Sequence, residues 1–250
     1  MAGVFSLLRW SVIRMVLGGR HLMREWQVGD GREEDAGRFV LSHATPGDID
    51  AAIRAIDEYA YGRKFLINVG DEKGAILDAA VTRAAPRRAL ELGAYIGYSA
   101  LRIARRLPPG GHLTSVELNP ANAAIARRIA EHAGAADRIT FVVGALNDGG
   151  STLSSLERQH GFVPGALDLV FIDHAKDQYL PDLLRLLDAR WLHAGSVVVA
   201  DNMRFPGSPR YRDYMDDAER KLWRTQRHRA HVEYQSIIPD LVFESTYLGG

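Results

Sequence analysis

The sequence predicts an α/β fold: a seven-stranded, mostly parallel sheet with helices on both faces and a C-terminal antiparallel hairpin. Three observations lead there. Five unbroken apolar runs of strand length occur, RALELG, HLTSVEL, RITFVVG, LDLVFID and GSVVVAD, and continuous apolarity marks strands buried on both faces. Helical segments stand between them, the alternation that a parallel sheet with crossover helices produces. Near the end, HVEYQSII and LVFESTYLG alternate apolar and polar positions, as strands of an antiparallel edge do.

The elements follow in order. Residues 1–44 read as an N-terminal arm and residues 45–250 as one domain. In the arm, VFSLLRWSVIRMVLGG is apolar but broken by Arg9 and Arg14. It is shorter than the ~20 residues a bilayer needs and lacks a secretory cleavage pattern. It predicts a docking or peripheral membrane helix through residues 4–17, and no transmembrane span. Ile49, Ile53 and Ile56 are spaced for a helix ending near Gly62, and DEKGAILDAAVTRAAP for a second one stopped by Pro86. YSALRIARRL, NPANAAIARRIAEHAG and QYLPDLLRLLDARWL are the crossover helices; Asn119-Pro120 starts the second and Gly134 stops it. RYRDYMDDAERKLWRTQRHRAH reads as a solvated helix face followed by a turn.

Composition excludes several functions. The chain has 31 basic and 31 acidic residues, so no general field draws nucleic acid to it. It contains no cysteine, which removes disulfides and thiolate chemistry and agrees with a cytoplasmic protein.

In parallel sheets, ligands bind outside the carboxyl ends of the strands, so the strand ends carry the functional signal. They deliver Glu91 and Gly93, then Glu117, Gly144, Asp173, and finally Asp201 with Asn202. Helix capping explains one or two of these and explains all five ends poorly. ELGAYIGYS has G-x-x-x-G rather than the G-x-G-x-x-G of nicotinamide-binding folds. Glu91 would repel a pyrophosphate but suits an ammonium, and Glu117 stands where an acidic residue holds ribose hydroxyls. A ligand with adenosine, ribose and a cationic amino-acid tail is S-adenosylmethionine. Asp173, Asp201 and Asn202 offer only oxygen ligands, which select a hard cation such as Mg2+. His174 stays outside that shell, and Lys176 is the candidate base.

INVGDEKGAILDA, ALELGAYIGYSALRIARRL, VELNPANAAIA, FIDHAKDQYLPDLL and VVVADNMRFPGSP together resemble the catechol O-methyltransferase family, in order and spacing, from about residue 45 onward. The resemblance implies the class I, Rossmann-like methyltransferase sheet and a catalytic domain over residues 45–250. It implies S-adenosylmethionine held by Val69, Glu91, Gly93, Tyr95, Ser99, Glu117, Ala145, Asp173 and His174, and Mg2+ held by Asp173, Asp201 and Asn202. Lys176 would be the general base, and Lys176, Asn202, Glu233, Phe65 and Pro206 would bind a small-molecule catechol. The expected reaction is Mg2+-dependent methyl transfer to one catechol hydroxyl, with no nucleic-acid partner; a caffeoyl-CoA-type O-methyltransferase and a non-catalytic donor-binding module are the alternatives. Where familiar animal members carry tryptophans, this chain has Phe65 and Ala175. Leu146 and Asn147 replace polar residues near the adenine, and Arg204 is expected to favour an acidic ring substituent.

Overall fold

Local signals start two of the helices where the sequence places them. In the computed structural model, which describes residues 27–250, the Asp48 carboxylate accepts from the Ala51 N–H at 2.9 Å and opens α2 (Ile49–Gly62). Asn119 accepts from the Ala121 N–H at 2.8 Å and opens α5 (Pro120–His132), with Pro120 in the first turn, where its missing N–H costs nothing. Before α2 stands α1 (Arg32–His43), and after it α3 (Gly70–Ala84). The expected arm helix at residues 4–17 lies outside the described residues.

Strands and helices then alternate: β1 (Arg88–Leu92), α4 (Tyr98–Ala104), β2 (His112–Glu117), α5, β3 (Ile139–Val143), α6 (Ser151–His160), β4 (Leu167–Ile172), α7 (Tyr179–Asp188) and β5 (Leu192–Ala200). A turn at Met203–Gly207 leads into α8 (Pro209–Asp217), and the chain closes with β6 (Trp223–His231) and β7 (Pro239–Tyr247). The sheet order is β3-β2-β1-β4-β5-β7-β6. The first five strands are parallel, and β7 runs antiparallel to both neighbours. The chain winds outward from β1 to β3, then returns to place β4 on the other side of β1. That reversal opens a crevice at the carboxyl ends of β1 and β4.

The apolar runs are buried on both faces, as their continuity requires. In β4, Leu169 and Phe171 pack toward α1–α5, whereas Val170 and Ile172 pack toward α6–α8. All four are fully buried, each contributing about 1.5–3 kcal/mol. No helix among the described residues is long and apolar enough to cross a membrane.

Two sequence expectations are corrected. HVEYQSII is not a strand: Val232–Ile238 is the turn of the hairpin, and β6 lies earlier, in WRTQRHRAH. That stretch was expected to be helix face and turn. It is an edge strand whose charged side chains face solvent, so the alternation of a half-buried strand is weak in it. The helix expected to run through RWL stops at Asp188: Arg190 takes a left-handed φ of 55°, and Leu192 is already in β5.

Candidate active site

At the crevice, β4 and β5 run side by side, with Ile172 opposite Ala200. The next residues continue the ladder. The Asp173 N–H donates to Leu92 O at 2.9 Å, and the Asp201 N–H donates to Ile172 O at 3.1 Å. Both carboxylates therefore leave the sheet at the same edge. Gly93 lies beside them at φ 101°, a conformation that favours glycine. A Cβ there would stand 2.3 Å from the Asp173 carbonyl oxygen, so this strand end admits no side chain.

Six charged groups and one amide converge at that edge. Lys176 Nζ donates to Asp173 Oδ1 at 2.9 Å, to Asn202 Oδ1 at 2.8 Å and to the Tyr179 hydroxyl at 2.5 Å. Lys73 Nζ lies 2.8 Å from Asp201 Oδ2, 2.6 Å from Glu233 Oε1 and 3.1 Å from Asp240 Oδ2. Its contact with Asp201 is an ion pair off the hydrogen-bond direction, so Asp201 Oδ2 is buried without a hydrogen bond. Asn202 Nδ2 donates to Glu233 Oε1 and Asp240 Oδ2, both at 3.0 Å. Burial pushes the Asp201 carboxyl up, against the pull of Lys73. Burial opposes the Lys73 charge, but the carboxylates of Asp201, Glu233 and Asp240 raise its pKa well above the ordinary lysine value. Four carboxylates thus face two ammonium groups.

A cavity of about 370 Å³ opens from this cluster. Among the residues lining it are Phe65, Gly93, Tyr95, Glu117, Ala145, Asp173, His174, Lys176, Asn202, Pro206 and Glu233. Ile67, Leu146, Asn147 and Ala175 complete its walls. Four other expected site residues lie elsewhere. Val69 precedes α3 and is buried; Glu91 and Ser99 are buried and do not line the cavity; Asp201 is buried in the charged cluster against Lys73. Arg204 lines a neighbouring cleft instead.

Several polar side chains in and beside the cavity are held by hydrogen bonds. The Glu117 carboxylate accepts from the Tyr95 N–H at 2.7 Å and the Asn119 N–H at 2.8 Å; burial raises its pKa, opposed by those N–H donors. Glu91 is fully buried, and burial lifts its carboxyl to about 7, with the Ser115 and Ser99 hydroxyls pulling it partly back. Its Oε1 has no hydrogen-bond partner. His174 Nε2 lies 2.8 Å from Asp182 Oδ2, and the ring stacks on Tyr179 at 5.2 Å. The buried Nδ1 of the same ring has no hydrogen-bond partner among the described residues.

Several supporting residues escaped the sequence reading. Arg32 donates to Phe65 O at 2.6 Å, and the Tyr95 hydroxyl donates to Glu33 at 2.9 Å, so α1 braces two walls of the cavity. Lys73, Asp182 and Asp240 carry contacts of the same weight. DEKG and the D of YLPD lay inside quoted motifs, but only the pairing of distant elements shows their partners.

A family model for O-methyltransferases matches residues 53–235. A mouse catechol O-methyltransferase is 38% identical over 96% of this chain and 83% of its own length. The chain belongs to the catechol O-methyltransferase-like family of O-methyltransferases. A probable O-methyltransferase of Mycobacterium tuberculosis is 55% identical over 94% of this chain and all of its own length. Among solved structures, an O-methyltransferase from Streptomyces achromogenes in complex with S-adenosylmethionine shares the fold at TM-score 0.64 and 20% identity, over 96% of this chain and 100% of its own. The family membership agrees with the sheet order, in which the O-methyltransferase hairpin β6–β7 carries Asp240 and its turn carries Glu233 into the cavity.

Proposed function

We propose that this O-methyltransferase transfers a methyl group from S-adenosylmethionine to one hydroxyl of a catechol, with Mg2+ as a required ion. The surplus of carboxylates at the strand edge carries the reading: Asp173, Asp201, Glu233 and Asp240 face only Lys73 and Lys176. The ligands we assign are the Asp173 and Asp201 carboxylates and the Asn202 amide; among the described residues no three His, Asp or Glu side chains form a metal-ligand group by themselves. That set fits a hard cation. Asp173 Oδ1 and Asn202 Oδ1 already converge on one cationic atom, Lys176 Nζ, and Asp201 Oδ2 keeps no hydrogen bond. Bound by these three residues, Mg2+ would favour the ionised form of a catechol hydroxyl, whose pKa is otherwise ~10.

The chain's own residues supply the remaining steps. Lys176, at the cavity wall beside Asn202, is the base that takes the hydroxyl proton. Glu233 accepts a hydrogen bond from the hydroxyl that does not react, its carboxylate held in place by Lys73 and Asn202. Phe65 and Pro206 flank the ring. Glu117, at the end of β2, receives the donor's ribose hydroxyls, and the unpartnered carboxylate oxygen of Glu91 favours its ammonium end. Burial of the cavity walls keeps water from the methyl group, and holding both reactants in line supplies about 7–11 kcal/mol of the barrier.

The test is methyl transfer from labelled S-adenosylmethionine to a simple catechol, with Mg2+ and with a chelator. A monomethyl ether that forms only with Mg2+ and is lost in Lys176→Ala supports the reading. Donor binding without transfer to any catechol would sink it.

A further inference from the structure

Beside the acceptor cavity lies a second cleft, of about 830 Å³, lined by Arg204, Arg227, Arg229 and His231, with Asp240 at its floor. Its basic residues come from two places. Arg227, Arg229 and His231 occupy alternate positions of β6, opposite Phe243, Leu241 and Pro239 of β7, and so share one face of the hairpin. Arg204 reaches the same cleft from the Met203–Gly207 turn.

Their charges are not equally engaged. Arg227 pairs with Asp216 on α8 and lies over the Phe243 ring at 5.1 Å. His231 Nδ1 lies 3.1 Å from Glu72 Oε2. The Arg204 and Arg229 side chains are exposed and have no hydrogen-bond or ion-pair partner among the described residues. The Asp240 carboxylate forms an ion pair with neither of them, only with Lys73. It is 1% exposed and accepts from the Arg204, Phe205 and Leu241 N–H groups as well as from Lys73 and Asn202. In a chain of zero formal net charge, two free guanidinium groups in one concavity form a local anion-attracting field.

The cleft shares a wall with the acceptor cavity. Phe205 and Pro206, next to Arg204, line the cavity, as do Val232 and Glu233, next to His231. We propose that the cleft binds the anionic arm of the acceptor. The catechol ring lies in the cavity, and a flexible substituent crosses the Phe205 lip to set a carboxylate between Arg204 and Arg229. This inference rests on the catechol reading and narrows it to acidic catechols. Guanidinium forks match carboxylates in plane and bind them with paired, charge-assisted hydrogen bonds.

The experiment compares 3-(3,4-dihydroxyphenyl)propanoate with its amide, using the full chain with S-adenosylmethionine and Mg2+. Isothermal calorimetry of both compounds, on protein loaded with S-adenosylhomocysteine and Mg2+, runs alongside. The wild type should favour the acid in kcat/KM by about tenfold at low salt. Arg204→Gln and Arg229→Gln should each remove most of that preference through KM, leaving kcat and both constants for the amide unchanged. High salt should erase the preference as the variants do. If both compounds are methylated equally, or the preference survives both substitutions, the cleft proposal falls while the catechol reading stands. If neither is methylated, the catechol reading falls and calorimetry judges the cleft: acid binding weakened in Arg229→Gln upholds an anion site, whereas equal or absent binding of the two compounds overturns it.

Discussion

Two buried ionic clusters among the described residues can be set side by side, and only one of them borders the cavity. Behind the sheet, α2, α3 and α4 enclose Arg102, Arg105, Asp78 and Asp57. Arg102 Nη2 donates to Asp78 Oδ2 at 2.7 Å, Arg102 Nη1 to the Tyr98 hydroxyl at 2.8 Å, and Tyr98 in turn to Asp57 at 2.7 Å. Arg105 closes on the same Asp78 oxygen. With Asp50, exposed at the rim and 2.5 Å from Arg105 Nη1, two guanidinium groups meet three carboxylates, and neither the acceptor cavity nor the basic cleft is lined by them. At the strand edge, four carboxylates meet two ammonium groups beside an open cavity. Both clusters are costly to bury, so buried charge by itself says nothing of function. Buried carboxylate oxygens without hydrogen bonds and access to a cavity do.

The largest effect separates the clusters by chemistry. Lys176→Ala should lower methyl transfer by about 10²–10⁴-fold and leave the melting temperature close to that of the parent, checked by a rate assay and a thermal melt on the same sample. A comparable loss in Arg102→Met at low temperature would break the distinction.

Next come the two clusters' stabilities. Lys73→Met and Arg102→Met each strand buried carboxylates and should cost about 3–5 kcal/mol in urea unfolding. Their response to Mg2+ should differ: the ion should recover part of the Lys73→Met loss, because positive charge at the strand edge is what that variant lacks, and none of the Arg102→Met loss. Equal recovery in both would show that the charge deficit is not local. Gly74→Ala sharpens the point, since a Cβ there would stand 2.5 Å from Arg102 Nε; it should destabilise the protein with no change in Mg2+ dependence.

A smaller effect is a titration. Burial raises Asp57 from 3.8 to about 6, with the Tyr98 hydroxyl opposing it. The folded state therefore binds this proton more tightly than the unfolded chain does. Its contribution is fully present below about 3.8 and is lost as pH rises through about 6. The stability difference between wild type and Asp57→Asn should thus move against the wild type over that window. A difference that stays flat with pH would show that Asp57 does not titrate there. Asp57 also holds the Tyr234 hydroxyl at 3.2 Å, next to Glu233, so the same variant should raise the acceptor KM modestly, read from initial rates.

Much of the site was legible because a parallel strand exposes its last residues by construction. Asp173, Asp201 and Asn202 end continuous apolar runs, so charge at those points stands out without any knowledge of neighbours. Lys73, Asp240 and Asp182 do not stand out. Each occupies a position where a solvated side chain is ordinary, and its meaning comes from partners 8 to 167 residues away. The misread hairpin has the same origin. HVEYQSII alternates as a strand would, but Tyr234 at φ 54° makes it a turn, and the pairing of β6 with β7 selected WRTQRHRAH instead.

By itself the sequence determined the five parallel strands and the acidic groups at their ends, because burial on two faces is a local property. Only the tertiary structure decided which charges are balanced, since charge balance belongs to a place in space and not to a stretch of chain. It also decided that α1 braces Phe65 and Tyr95, and that Arg204 faces the cleft shared with Arg229 rather than the cavity beside it.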